Sequence, residues 1–197
     1  MSEVIVDVGM SVDGFVAGPD QSRDEPMGRG TEHLHRWMFE TPDENSEEIA
    51  AIVDAGAFIM GRNMFGPIRG EWDEPWEGWW GPEPPYHGPV FVLTHHARPP
   101  LEMAGGTTFH FVTSGLQAAL SRARDAAGDR RVSVAGGAAT INQFLALGAI
   151  DLLRLHIAPI VVGAGERLFT DVGALSLTPV SSRTATLVTH VTYRLDR

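Results

Sequence analysis

Two glycines stand between an apolar run that ends in Ser133-Val134-Ala135 and a segment from Ala138 that favours a helix. A helix N-terminus offers unpaired N–H groups and the positive end of a dipole, so it attracts anions such as phosphate. Because glycine has no Cβ, Gly136-Gly137 would let an anionic ligand lie against the backbone. A tight strand-to-helix turn without any ligand needs the same residues. Both interpretations stay open from this pair alone.

A second junction of this type lies at Gly61, directly after the apolar run 57–60. Helix starts that follow neighbouring parallel strands converge on one crevice, where a pyrophosphate could use both dipoles. Arg62 comes next, at a position from which a guanidinium can make two hydrogen bonds to a phosphate. A solvated arginine at a helix start is the alternative. Together the two junctions favour a dinucleotide site.

The composition excludes several kinds of chemistry. The chain has no cysteine, which excludes thiolate catalysis, disulfides and cysteine-held metals. All of its 15 basic residues are arginine, which excludes lysine Schiff bases and a P-loop of the usual lysine-bearing kind. The net charge of -10 argues against nucleic acid as a partner. A small-molecule substrate is therefore the expected partner.

The length of 197 residues predicts one domain over residues 1–197. No apolar run reaches the length of a membrane span, and the segment "EVIVDVGM" near the start lacks the pattern of a secretory signal. A cytoplasmic location without membrane attachment is expected. The histidines do not show metal-ligand spacing, so no metal is expected.

Alternating strands and helices would position these residues. β-Branched and apolar runs predict strands at 4–10, 57–60, 90–94, 107–112, 131–135 and 151–163, with an alternating edge strand at 183–196. Apolar spacing and capping residues predict helices over 31–40, 46–55, 116–126 and 138–148. This order indicates a three-layer α/β/α fold whose mixed sheet is parallel in its centre and antiparallel at its C-terminal edge.

Five motifs carry a resemblance that runs in order from about residue 3 to 195. They are "SVDG" (11–14), "IMGRNMF" (59–65), "VFVLTHH" (90–96), "VAGGAATINQFL" (134–145) and "DLLRLHIAPIVVGAGERLF" (151–169). The chain resembles the dihydrofolate reductase-like superfamily. More narrowly, it is similar to the reductase domain at the C-terminus of bifunctional riboflavin-biosynthesis deaminase-reductases, and to stand-alone bacterial proteins of that kind.

The resemblance implies NADPH as cofactor and a homodimer as the assembly. It assigns the cofactor phosphates to Gly61, Arg62 and Asn63, and the adenosine 2'-phosphate to Thr94, His95 and His96. It assigns the pyrophosphate to Gly136, Gly137, Ala138, Ala139 and Thr140. The implied activity is hydride transfer to a C=N or C=O bond of a 5-amino-6-(5-phosphoribosylamino)uracil-like or pteridine-like substrate. Dihydrofolate reductase proper and a non-catalytic ligand-binding protein are the alternatives.

On the substrate side the resemblance implies Asp13 and Glu32 as catalytic candidates and Trp37 and Phe169 as substrate contacts. A proton donor must come within hydrogen-bond reach of the reduced bond, directly or through a water. Asp13 also has a second interpretation, because the carboxylate in "DG" can bond the backbone of a turn.

Two further expectations concern the substrate. A ribosyl phosphate is typically held by basic residues, and without lysine this task would fall to Arg23, Arg29, Arg69 or Arg167. The loop 67–89 carries four tryptophans, which suit packing against the protein or a partner subunit, with stacking on a substrate as the alternative.

Overall fold

A computed structural model describes residues 2–196. Its strands are β1 (Val4–Ser11), β2 (Phe15–Ala17), β3 (Ala57–Gly61), β4 (Pro89–Leu93), β5 (Leu101–Glu102), β6 (Thr108–Val112), β7 (Val132–Gly136), β8 (Leu152–Ala158), β9 (Glu166–Arg167), β10 (Leu177–Ala185) and β11 (Val188–Leu195). Its α-helices are α1 (Arg36–Glu40), α2 (Ser46–Ile52), α3 (Arg62–Phe65), α4 (Leu116–Ala127) and α5 (Ala138–Ala146).

Nine strands form one mixed sheet in the order β10-β11-β8-β1-β7-β3-β4-β6-β5. The pairs from β8 through β1, β7, β3 and β4 to β6 are parallel. Strand β11 is antiparallel to both β8 and β10, and the short β5 is antiparallel to β6. The predicted α/β fold, with a parallel centre and an antiparallel C-terminal edge, is confirmed.

Two apolar cores lie on opposite faces of this sheet. On one face, Val4 and Val6 of β1 pack with α4 and α5, where alanines such as Ala119 and Ala123 let the helices approach closely. On the other face, Phe58 of β3 belongs to a core that includes aromatic residues of the loop 67–88. Because a strand points successive side chains to opposite faces, apolar runs such as β3 supply both cores.

The first predicted helix is shorter than its sequence pattern indicates. It begins at Arg36 rather than Thr31. The Thr31 hydroxyl donates to the carbonyl oxygens of Met27 and Gly28, at 3.0 and 2.7 Å, and so does not cap a helix. The residues between Thr31 and His35 form turns instead.

The C-terminal region also differs from prediction. The strand expected over 151–163 ends at Ala158, and the single edge strand expected over 183–196 is a hairpin of β10 and β11 that turns at 186–187. This turn is stabilised from outside, because the backbone N–H of Thr186 donates to the carboxylate of Glu44 at 3.1 Å.

The tryptophan-rich loop packs on the protein's own body. Trp72 meets Phe65 and Phe111 edge-on, and Trp80 stacks on Phe109 with 6.0 Å between ring centroids. The indole N–H of Trp76 donates to the carbonyl of Phe65 at 2.9 Å. Of the predicted alternatives, packing describes this loop. Over residues 2–196, no helix is long and apolar enough to cross a membrane.

Gly61 sets how closely β3 approaches the first turn of α5. A Cβ added at Gly61 would lie 2.4 Å from the Thr140 hydroxyl oxygen, well inside contact distance. Packing therefore favours a glycine at this position.

Gly61→Ala should lower the free energy of unfolding by about 1–3 kcal/mol, as overpacking does in a filled core. Thr140→Ala removes the clashing oxygen, so the double variant should recover most of that loss. Urea unfolding of the four proteins of this cycle measures both effects. If Gly61→Ala lowers the free energy of unfolding equally with Thr140 in place and in the Thr140→Ala variant, the close contact between residue 61 and the Thr140 hydroxyl is contradicted.

Candidate functional site

The ends of four parallel strands bring the predicted cofactor segments to one edge of the sheet. Met60 of β3 pairs with Gly136 of β7, and Gly61 pairs with Leu93 of β4. Strand β1 lies on the other side of β7. The junctions at 61–63, 94–96 and 136–140 therefore meet in space, as expected for strands whose carboxyl ends face a shared crevice.

The Gly136-Gly137 turn leaves open space above the start of α5. The peptide bond between the two glycines is cis. A Cβ added at Gly137 would meet no described atom within 4 Å, unlike one at Gly61. The N–H of Thr140 bonds the carbonyl of Gly137 at 3.0 Å, whereas the N–H groups of Ala138 and Ala139 lie in the first turn, where a helix supplies no acceptor. This turn can take an anionic group against its backbone.

Arg62 lies beside this turn and is held by stacking. Its guanidinium carbon is 3.7 Å from the centroid of the Trp72 ring, and its Nη1 is 3.4 Å from the Thr94 hydroxyl. Its Nε is buried and has no hydrogen-bond partner within residues 2–196. Stacking fixes the guanidinium plane and leaves donors available to an added acceptor.

Other arginines surround Arg62. Burial, and then the nearby Arg69, lowers the pKa of Arg62, and Arg98 acts in the same direction. The guanidinium of Arg98 lies 5.1 Å from the same Trp72 ring and donates to the carbonyl of Trp76 at 2.7 Å. Glu71 and Asp73 act in the opposite direction, so the cluster combines guanidinium groups with carboxylates. An anion that contacts the guanidinium groups would be stabilised by them.

The segment after β4 lies beside Arg62. The hydroxyl of Thr94 accepts from the N–H of His96 at 3.1 Å, and the His96 ring contacts Glu71 at 2.9 Å. His95 and Asn63 are exposed beside it. The structure thus brings all the residues predicted for cofactor phosphates to one region.

An open cleft of about 540 Å³ lies at the end of β1, lined by Met10, Val12, Asp13, Gly14, Arg167, Leu168, Phe169 and Thr170. Of the predicted substrate-side residues, it contains Asp13 and Phe169. Its volume is in the range of small-ligand sites.

Asp13 joins the cleft to the segment that follows β8. Its carboxylate accepts from the Ser11 hydroxyl at 2.6 Å and from the N–H groups of Val162 and Gly163 at 3.1 and 2.8 Å. The hydrogen bond from Ser11 is the main cause of a pKa below the usual value for this carboxyl, and the two backbone bonds add to it. Asp13 is therefore a charged acceptor that joins the ends of β1 and β8.

Asn142 was not predicted, although it fixes Phe169. This nearly buried residue of α5 donates to the carbonyl of Arg167 at 3.0 Å and accepts from the N–H of Phe169 at 2.8 Å. It joins the helix that begins at Gly137 to the rim of the cleft. In the sequence it is one of two adjacent amides in α5, Asn142 and Gln143, and nothing in the pattern shows which of them faces the protein.

The other two predicted substrate-side residues lie elsewhere. Trp37 is 1% exposed and packs against both His156 and His190, with ring centroids 4.8 and 5.1 Å away. It is a core residue on the face covered by α1. Glu32 is exposed on the turns before α1. Neither is among the residues that line the cleft.

Of the four arginines predicted for a substrate phosphate, Arg167 lines the cleft. Arg23 pairs with Glu74 at 2.7 Å, and Arg29 pairs with Asp20. Arg69 donates to the carbonyl of Gly66 at 2.9 Å. Across residues 2–196, no group of three or more histidine, aspartate or glutamate side chains could hold a metal ion.

Solved structures share this fold. A putative riboflavin biosynthesis protein from Shewanella sp. PV-4 is 23% identical with a TM-score of 0.65, and the match covers 100% of both chains. A diaminohydroxyphosphoribosylaminopyrimidine deaminase/5-amino-6-(5-phosphoribosylamino)uracil reductase from Thermotoga maritima is 14% identical with a TM-score of 0.56, over 99% of this chain and 57% of that one. Dihydrofolate reductase from Enterococcus faecalis, complexed with NADP(H), is 11% identical with a TM-score of 0.57, over 99% and 97% of the two chains.

Sequence comparison agrees with the structural likeness. The uncharacterized protein YyaP of Bacillus subtilis is 24% identical over 188 residues, which are 92% of this chain and 88% of the relative. The family described as the RibD C-terminal domain matches residues 2–191, nearly the whole sequence. With its reductase-like fold and its cleft at the ends of the parallel strands, the chain belongs to the RibD C-terminal domain family.

Proposed function

We propose that this protein is an NADPH-dependent reductase of a small heteroaromatic compound. The observation that carries the proposal is the open backbone at Gly137, which follows the strand next to the one that ends at Gly61-Arg62. The Arg62 guanidinium makes two long contacts of 3.4 Å, to the Thr94 hydroxyl and the Glu71 carbonyl, and its Nε has no partner among residues 2–196. The E. faecalis reductase of the same fold is complexed with NADP(H). NADPH would use both of these features: the open backbone for its pyrophosphate and the guanidinium for its 2'-phosphate.

The arginines favour NADPH over NADH. The 2'-phosphate distinguishes the two nucleotides, and Arg62, Arg98 and Thr94 offer it charge and hydrogen bonds. Trp72 orders both guanidinium groups before any ligand arrives, which lowers the entropic cost of binding. When bound, NADPH supplies the hydride, and the protein's task is to place the nicotinamide against the substrate.

The cleft next to Asp13 would hold the substrate. It adjoins Phe169, whose half-exposed ring can pack on a flat heterocycle, and Arg167, which can contact a phosphate. The T. maritima protein of this fold is described as a 5-amino-6-(5-phosphoribosylamino)uracil reductase. We infer a phosphorylated ribosylaminopyrimidine as the substrate class.

Asp13 acts in this proposal as a positioning residue. A carboxylate with a lowered pKa and three donors is a poor proton source at neutral pH. The open cleft admits water, so the proton reaches the reduced bond through a water molecule whose position the carboxylate and nearby backbone groups influence.

Arg62→Ala should weaken NADPH binding by about tenfold or more, the loss expected for hydrogen bonds to a charged group. NADH, which lacks the 2'-phosphate, should lose much less. Fluorescence titration with both nucleotides measures this, and Arg130→Ala is the control because Arg130 precedes β7 at the opposite edge. Equal losses for the two nucleotides would contradict the assigned role.

Gly137→Ala should weaken NADPH binding because the added methyl group occupies the space left for the pyrophosphate. The free energy of unfolding should stay within about 0.5 kcal/mol, as the side chain meets no protein atom. Calorimetric titration and thermal unfolding give the two quantities. Unchanged affinity in a folded variant would exclude a ligand at this turn.

Arg167→Met should raise the KM for a phosphoribosylaminopyrimidine by about tenfold, the effect of losing one charged hydrogen bond. The KM for the dephosphorylated compound should change little. NADPH oxidation followed by absorbance measures both, with dihydrofolate as a third substrate. Turnover of dihydrofolate alone would favour a true dihydrofolate reductase over the proposed activity.

A further inference from the structure

A chain of buried polar side chains crosses the sheet away from the cleft. His156 of β8 contacts the Asp7 carboxylate of β1 through Nε2. Its Nδ1 lies 2.6 Å from Nδ1 of His190 on β11, and Nε2 of His190 lies 2.9 Å from Oδ1 of Asn45. All four residues are less than a tenth exposed. The proposed function uses none of them.

The orientation of the Asn45 amide is fixed by its other partners. Its Nδ2 donates to the Thr41 carbonyl at 2.8 Å, and its Oδ1 accepts from Nη2 of Arg183 at 3.1 Å. Turning the amide over would place donors against the arginine and an oxygen against the carbonyl. Asn45 therefore presents an acceptor to His190.

Counting hydrogens then sets the charge of the two histidines. The contacts with Asp7 and with Asn45 each need an N–H, because both partners are acceptors. The contact between the two Nδ1 atoms needs a third N–H. Two neutral imidazoles carry only two N–H groups, so the complete chain requires one additional proton.

The surroundings favour one extra proton and oppose a second. Asp7 balances one positive charge, while Nε of Arg154 lies 2.9 Å from its other oxygen at an angle that makes the contact ionic. Burial, and then the neighbouring His156, lowers the pKa of His190, and Arg183 acts in the same direction. Glu48 opposes this, and pairs with Arg183 at 2.7 Å. His35 is the other titratable group nearby, and burial lowers its pKa.

We propose that His156 and His190 together hold three N–H protons and one positive charge. The additional proton completes the hydrogen-bonded chain that attaches the C-terminal hairpin β10–β11 to β1 and α2, and we call this chain the latch. This inference is independent of the proposed reductase activity. The chain joins residues of β1, β8 and β11 to the residue that precedes α2, and these elements are far apart in sequence.

A small cavity gives the latch access to solvent. It has a volume of about 220 Å³ and is lined in part by His156, His190, Arg183 and Glu48. A base from solvent can remove the third proton, which leaves two N–H groups for three contacts. One N–H stays on Nε2 of His156, where it bonds the Asp7 carboxylate. If the other is on Nε2 of His190, the two Nδ1 lone pairs face each other. If it is on Nδ1 of His190, Nε2 of His190 faces Asn45 without a hydrogen. The hairpin then loses an attachment as the pH rises.

Long-range ¹H–¹⁵N spectra of the full chain, with the histidines assigned by triple-resonance methods, count the N–H groups directly. At neutral pH we expect three on this pair, with Nε2 of both rings protonated. Two N–H groups on the pair, which means two neutral rings, would overturn the proposal. His33 is the internal control for an exposed histidine.

Amide hydrogen exchange tests the latch. Once the third N–H is lost at higher pH, the amides of β11 should lose about tenfold in protection relative to those of β3. In His190→Gln, whose side chain cannot carry the charge, the protection of β11 relative to β3 should no longer depend on pH. In the control His33→Gln it should still depend on pH. Protection that changes in parallel for β11 and β3 of the unmodified chain would overturn the latch, whether or not the variant folds.

Discussion

Parallel pairing of β1, β7, β3 and β4 is the constraint on which the candidate site depends. It sets the ends of these strands side by side, so residues far apart in the sequence meet at one edge of the sheet. The close approach of Gly61 to Thr140 holds β3 against α5 at the same edge. Gly137, without such a contact, leaves room. Two glycines in similar sequence settings thus differ physically, because Gly61 is packed against Thr140 and Gly137 has open space beside it.

Local charge differs from the charge of the whole chain. The protein has a net charge of -10, and near one edge of the sheet Arg62, Arg69 and Arg98 cluster beside the carboxylates of Glu71, Asp73 and Glu77. The packed tryptophan loop makes this arrangement possible, because Trp72 lies against two guanidinium groups and is itself held by aromatic residues. The loop therefore contributes to the candidate site through Trp72, whose ring lies against both guanidinium groups.

Local patterns in the sequence predicted the central strands, α2, α4 and α5, and therefore the strand ends at which the residues assigned to a cofactor lie. The hairpin turn at 186–187 was missed because it has no glycine, proline or asparagine and relies on Glu44. The resemblance implied Trp37 as a substrate contact, and this was wrong because the ring is buried against His156 and His190. The pairing of Asp7 with His156, 149 residues apart, depends on strand order, which no local pattern encodes.

Chemical-shift mapping of the backbone amides with NADPH tests the central claim most directly, because it locates the ligand without requiring the substrate. The account predicts that the amides of 61–63, 94–96 and 136–140 shift together at saturation, while those of β10 and β11 do not. Shifts confined to other surfaces, or none at millimolar nucleotide, would contradict a dinucleotide at the ends of the parallel strands.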